Sequence, residues 1–300
     1  MISTWHRCLP LAVALVLACD SQAQTQTPPP SKSAPAKAPE PAPAPTKQPA
    51  EAAPEETNPE ETTPAYQEAG GVQYVELVTG GAQAEDALPL IIAIHGLGDR
   101  PEDFSGLLRG FPEPARVILP RAIDDHEVGF SWFPIRARSE DVEGLSAGIT
   151  RAADALAKHI AAIRAARPTV GRPIVTGFSQ GGMLSFTLAA QHPEQVAAAY
   201  PVGGWLPPPL WPKTGPASEA ANPPVIALHG DDDRALLIEK TRESVAHQRK
   251  LGYSVELVEY PGVGHQITLE MRTKLWDMLK AAAARERDAG ATAKPAKPAG

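Results

Sequence analysis

Past residue 19 the chain has no cysteine: the only two are Cys8 and Cys19. No disulfide can therefore staple a folded domain. Basic residues are also in short supply, 28 Lys and Arg against 35 Asp and Glu, for a formal charge of −7. With no basic patch standing out, nucleic acid is excluded as a partner class. Long hydrophobic runs are missing as well. The apolar run Leu9 to Ala18 falls well short of the ~20 residues that span a bilayer. Metal-ligand spacing is absent too: His126, His159, His192 and His247 stand at unrelated intervals. The acidic run Asp231 to Asp233 is not followed by the spaced oxygen ligands of a calcium loop. Neither a metal nor a cofactor is expected.

What the first residues do contain is a leader. Arg7, the apolar run and the small residues behind it read as a signal peptide, residues 1–19. Ser21-Gln22-Ala23 suits ordinary cleavage, whereas Val16-Leu17-Ala18-Cys19 resembles a bacterial lipobox in which Cys19 becomes lipidated. Cys19 ends the apolar run and precedes a long polar stretch, which favours lipidation. Twelve of the 33 prolines fall between Pro28 and Pro64. Residues 20–65, almost free of apolar side chains, cannot bury enough surface to offset their ordering entropy. They read as a disordered tether. An exported, lipid-anchored or secreted protein is the expectation, touching membrane only through that anchor. The compact part is residues 66–287, the size of one α/β domain, with a tail at 288–300.

Within it, strands and helices alternate. Val72 to Thr79 alternates and is expected as an antiparallel edge strand; Leu90 to Ile94 is continuously apolar, as a strand buried on both faces must be. Arg116 to Pro120, Pro173 to Thr176, Val196 to Val202, Val225 to Leu228 and Ser254 to Tyr260 read as further strands. Helical patterns cover Asp141 to Arg167, the stretch up to Gln191, Leu237 to Leu251 and Thr268 to Ala284. Seven prolines between 207 and 224 mark a surface loop. Such alternation means a mainly parallel sheet with helices on both faces.

In an open sheet of this kind, function gathers at the carboxyl ends of the strands. Three such ends carry chemistry. Gly177-Phe178-Ser179-Gln180-Gly181 places a serine on a tight strand-to-helix turn, an acidic cluster follows at 231–233, and His265 sits on the loop after the last strand. A serine hydroxyl is a poor nucleophile, so a histidine must take its proton and a carboxylate must orient that histidine. Charge developing on the acyl oxygen needs two preorganised donors. Gln180 N–H follows the nucleophile, and Leu97 N–H lies in the His95-Gly96-Leu97-Gly98 loop. His95 and His229, each before a glycine at a strand end, read as hydrogen-bonded strand termini. Trp132, Phe133, Trp205 and Leu206 are candidates for an acyl pocket, or for plain core.

Together, His95-Gly96-Leu97-Gly98-Asp99, Ser131-Trp132-Phe133, Gly177-Phe178-Ser179-Gln180-Gly181-Gly182, His229-Gly230-Asp231-Asp232-Asp233 and Gly264-His265 resemble the phospholipase/carboxylesterase family, which includes bacterial carboxylesterases and acyl-protein thioesterases. The resemblance covers about residues 85–284. It implies an α/β-hydrolase fold, Ser179, Asp233 and His265 as triad, Leu97 and Gln180 as oxyanion donors, and cofactor-free hydrolysis of carboxylic esters or thioesters. Arg234 stands where the family usually has proline after the triad acid, which keeps Asp231 and Asp232 open as alternatives. Short-chain esters are the expected substrates. The rivals are a lysophospholipase or a polymer or polysaccharide deacylase on the same triad, and, in another class, a tethered binding module on an inactive hydrolase scaffold.

Overall fold

A computed structural model describes residues 66–134 and 136–293. The leader, Cys19, the tether and residues 294–300 lie outside them. In chain order the strands are β1 (Gln67–Ala69), β2 (Val72–Thr79), β3 (Leu88–Ile94), β4 (Ala115–Pro120), β5 (Asp124–His126), β6 (Gly129–Ser131), β7 (Thr169–Phe178), β8 (Ala198–Val202), β9 (Val225–Gly230) and β10 (Val255–Tyr260). The helices are α1 (Pro101–Phe104), α2 (Val142–Ala166), α3 (Gln180–Gln191), α4 (Ile238–Lys250) and α5 (Leu269–Ala293).

Eight strands form one sheet in the order β1-β2-β4-β3-β7-β8-β9-β10; β5 and β6 form a separate ribbon. Every pairing from β4 to β10 is parallel, and β1 and β2 are antiparallel additions at one edge. This is the mainly parallel sheet that the alternation implies and the α/β-hydrolase architecture that the family resemblance implies.

The continuous apolar run of β3 follows from its place between two cores. Leu90, Ile92 and Ile94 pack with Leu145, Ile149 and Leu156 of α2 and with Met183 of α3. Ile91 and Ala93 point the other way, onto Met271, Leu275 and Leu279 of α5. Period-two alternation thus feeds two apolar layers at once. Each fully buried isoleucine contributes roughly 1.5–3 kcal/mol over an exposed one. Helix α2 starts where its cap dictates: Asp141 Oδ1 accepts from Gly144 N–H at 2.9 Å.

Three expectations are corrected. Strand β2 is not the edge, because the Gly70-Gly71 turn, with φ of 61° and 81°, folds β1 back along it. The aromatic-rich stretch Gly129 to Pro134, which by its sequence reads as irregular, is only partly so, since Asp124–His126 pairs with Gly129–Ser131. The last helix does not end near Ala284 and give way to a tail from 288. Glu286 Oε2 accepts from Arg172 N–H at 2.7 Å, and Gly290 packs on Val170, so β7 holds the extra turns in place.

Sheet order also determines where a site can form. From β3 the chain moves to β4 on one side, while β7 lies on the other. The carboxyl ends of β3 and β7 therefore flank the point where the winding reverses, and a crevice opens there.

Candidate active site

Ser179 stands at that crevice with φ 57° and ψ −115°, a conformation that L side chains rarely adopt. The surroundings enforce it. A Cβ on Gly181 would fall 1.9 Å from the Ile94 carbonyl oxygen, and one on Gly177 would meet Gly181 O at 2.5 Å. Only bare backbone lets β7 turn into α3 so sharply. Ser179 N–H donates to Val202 O (3.0 Å), and Met183 N–H donates to Ser179 O (3.0 Å), which ties the turn to β8 and to its own helix. The N-terminus of the 12-residue α3 then points its positive end at the serine.

His265, on the loop between β10 and α5, reaches back over this turn. Its Nε2 lies 3.0 Å from Ser179 Oγ, and its Nδ1 lies 2.7 Å from Asp233 Oδ2. Phe178, the residue before the serine, stacks on the imidazole with centroids 4.7 Å apart. Of the three aspartates after β9, only Asp233 makes this contact. Asp231 accepts from Gly262 N–H at 2.6 Å, and exposed Asp232 pairs with Arg234. The structure thus brings Ser179, His265 and Asp233 into one hydrogen-bonded chain, with Nδ1–H donating to the carboxylate and Nε2 free to face the hydroxyl.

Asp233 is buried, which by itself pushes its carboxyl up. Bonds from His229, His265 and the Leu236 N–H outweigh that and hold it well below the usual carboxylate range. Its Oδ1 accepts from the Ala235 and Leu236 N–H groups at 2.9 and 2.8 Å. The contact with His229 was not anticipated. That imidazole is fully buried, with Nε2 2.8 Å from Leu236 O and 3.2 Å from Asp233 Oδ2. Both partners are acceptors, so Nε2 carries the proton. On the other side Nδ1 meets Thr241 Oγ1 at 3.0 Å. The separation of four residues between His229 and Asp233 was the available signal.

Leu97 and Gln180 approach from β3 and α3, and both line the cavity above Ser179. Neither main-chain N–H has a protein acceptor among the described residues. The Leu97 loop is tethered through Gly98 N–H to Phe130 O at 2.9 Å. Buried Gln180 contributes more than its N–H: its Oε1 accepts from Trp132 N–H (3.0 Å) and its Nε2 donates to Phe133 O (3.1 Å). The Ser131-Trp132-Phe133 segment is therefore a clamp on the Gln180 side chain. Trp132 Nε1–H also donates to His95 O at 3.1 Å. His95 itself is structural. Burial lowers its pKa to about 4, Nδ1–H donates to Gly96 O (2.7 Å), and Nε2 accepts from Ala122 N–H (3.2 Å).

The expected acyl-pocket residues need correction. Trp132, Trp205 and Leu206 are buried in the core beside α2 and α3 and do not line the cavity. Large rings with little polarity gain more from that packing than from an open wall. Phe133, also buried, edges a second, adjoining cavity instead. The Ser179 cavity holds about 480 Å³, and Arg136, Arg138 and Arg234 are among its walls. The arginines at 136 and 138 escaped sequence reasoning because they come from a loop with no motif.

Residues 77–282 match the family model described as Phospholipase/Carboxylesterase. The chain belongs to that family. As a member with a serine, histidine and aspartate in register, it is a serine hydrolase of carboxylic esters. It is similar to a probable carboxylesterase SOBER1-like of Arabidopsis thaliana, 26% identical over 213 residues, covering 65% of this chain and 79% of that one. It is similar too to acyl-protein thioesterase 1 of Gibberella zeae, 26% identical over 206 residues, with 60% and 84% covered. Among solved structures the fold matches that of esterase PE8, with a TM-score of 0.62 at 23% identity over 70% of this carboxylesterase-family chain and 99% of that one.

Proposed function

We propose that Ser179 is the nucleophile, His265 the general base and acid, and Asp233 the carboxylate that orients it. The Ser179 proton passes to His265 Nε2 as Oγ attacks the acyl carbon. The imidazolium then returns it to the departing alkoxide or thiolate, leaving an acyl-enzyme. Water repeats the sequence and frees the acid. The Leu97 and Gln180 N–H groups receive the oxyanion, a task in which one donor is worth roughly 10²–10³-fold in rate. The observation that carries this reading is the chain of contacts from Ser179 Oγ through His265 to Asp233 Oδ2, at 3.0 and 2.7 Å.

Short acyl groups fit best. The cavity of about 480 Å³ lies toward the small end of ligand sites, and its apolar walls are limited to Leu97, Ala137, Ala235 and Leu236. Steady-state hydrolysis of p-nitrophenyl esters from acetate to palmitate tests this, with Ser179→Ala alongside. The expected result is a kcat/KM that falls with chain length and vanishes in the variant. Activity that rises toward palmitate favours the lysophospholipase alternative, and activity retained by Ser179→Ala removes Ser179 from the mechanism. The proposal extends to location: the domain works outside the cytoplasm, held by lipid on Cys19. That part rests on the leader and the lipobox-like Val16-Leu17-Ala18-Cys19. Mass spectrometry of the mature N-terminus checks it, since an unlipidated start after Ala23 contradicts the anchor.

A further inference from the structure

The chain carries a formal charge of −7, yet the cavity beside Ser179 is cationic. Arg136 and Arg138 reach it from the loop after β6, and Arg234 from the loop after β9; no Asp or Glu lines it. Among the described residues, the Arg136 and Arg138 guanidinium groups have no hydrogen-bond or ion-pair partner. Arg234 has one, exposed Asp232, whose Oδ1 accepts from Nε and Nη2 at 3.2 Å each. The adjoining cavity differs. Arg136 borders it together with Arg151, but Asp124 and Asp125 line it too, so its charges are mixed.

All three arginines are exposed, Arg234 with 86% of its side chain in solvent, but like charges gathered around one concavity still raise the positive potential over its opening. A planar guanidinium also matches a carboxylate in geometry, and the two form paired N–H···O bonds. None of this helps a neutral ester. From the cavity's composition we infer that the preferred substrates are esters bearing a negatively charged carboxylate, held by Arg136, Arg138 and Arg234 while Ser179 attacks. The inference rests on Ser179 being the nucleophile, and it names the substrate class for that same site. Arg234 gains a role under this reading, because the residue after the triad acid becomes part of the substrate's binding surface.

Two isosteric pairs test it and separate the two ends of the ester. The acyl side is probed with 4-nitrophenyl hydrogen adipate against its neutral amide, 4-nitrophenyl adipamate. The alcohol side is probed with 3-acetoxybenzoate against 3-acetoxybenzamide. In at least one pair the charged member should have a kcat/KM about tenfold higher at low ionic strength, since exposed arginine–carboxylate contacts contribute modestly each and add. Salt should erode that ratio. Each of Arg136→Gln, Arg138→Gln and Arg234→Gln should lower it a few-fold, and the triple variant should bring it toward one. A ratio at or below one in both pairs for the wild type overturns the inference, as does a ratio the triple variant leaves intact. No turnover of any of the four esters overturns the Ser179 reading itself and the inference with it.

Discussion

Replacing Ser179 by glycine should make the protein more stable than replacing it by alanine. Both substitutions delete Oγ and its 3.0 Å contact with His265, so that loss cancels between them. What differs is the backbone. Alanine keeps a Cβ at φ 57° and ψ −115°, and glycine does not. A non-glycine residue in such a region costs about 1–3 kcal/mol. Glycine gives back about 0.5–1 kcal/mol through its extra freedom in the unfolded chain. The balance favours Ser179→Gly over Ser179→Ala by roughly 1 kcal/mol. For a domain of this size that corresponds to a Tm about 2–4 °C higher. Differential scanning calorimetry of the two variants, with urea denaturation to check that the m-values agree, measures it directly. An alanine variant as stable as the glycine variant would refute the idea that the fold holds this serine in a strained turn.

Other expectations concern the groups behind the serine. Asp233→Asn should lower kcat by about 10⁴-fold, because the amide cannot hold His265 in the required tautomer; a loss under tenfold contradicts the role. The folded-state pKa of Asp233 is depressed, so its contribution to folding is complete above the unfolded value of about 3.9 and is lost as pH falls toward the folded one. The titration of Asp233 itself therefore leaves the stability gap between wild type and Asp233→Asn unchanged above about pH 5 and narrows it only below that. His229→Leu removes a donor to a buried carboxylate and should cost about tenfold in kcat/KM with a shifted pH profile, whereas His229→Gln, which restores an N–H, recovers part of both. For His95 the folded pKa of about 4 lies below the unfolded 6.5, so protonation favours unfolding. Stability should drop as pH falls through that window, and His95→Gln should flatten the drop in pH-dependent urea denaturation.

Much of this was legible in the sequence, and the exceptions have physical causes. β3 announced itself because a strand covered on both faces needs no polar positions. The turn at Ser179 was legible because only glycine fits at 177 and 181, where carbonyl oxygens approach within van der Waals contact. Strand β1 was not, since three residues carry too little periodicity and its signal was the Gly70-Gly71 turn beside it. Choosing among Asp231, Asp232 and Asp233 needed coordinates, because a loop's direction decides which carboxylate turns inward and adjacent aspartates look alike in a string of letters. The aromatic candidates went the other way. Trp132, Trp205 and Leu206 lie next to site motifs in sequence, but their side chains face the core, a property of backbone direction at the strand ends. The convergence of Arg136 and Arg138 with Arg234, nearly a hundred positions later, is purely tertiary.

The central claim is that Ser179 is the activated nucleophile. Treatment of the folded protein with a fluorophosphonate, followed by peptide mass mapping, tests it most directly. A single adduct on Ser179 in the wild type, and none in Ser179→Ala, is the predicted result. An unlabelled wild type, or an adduct on another residue that persists in Ser179→Ala, would contradict it.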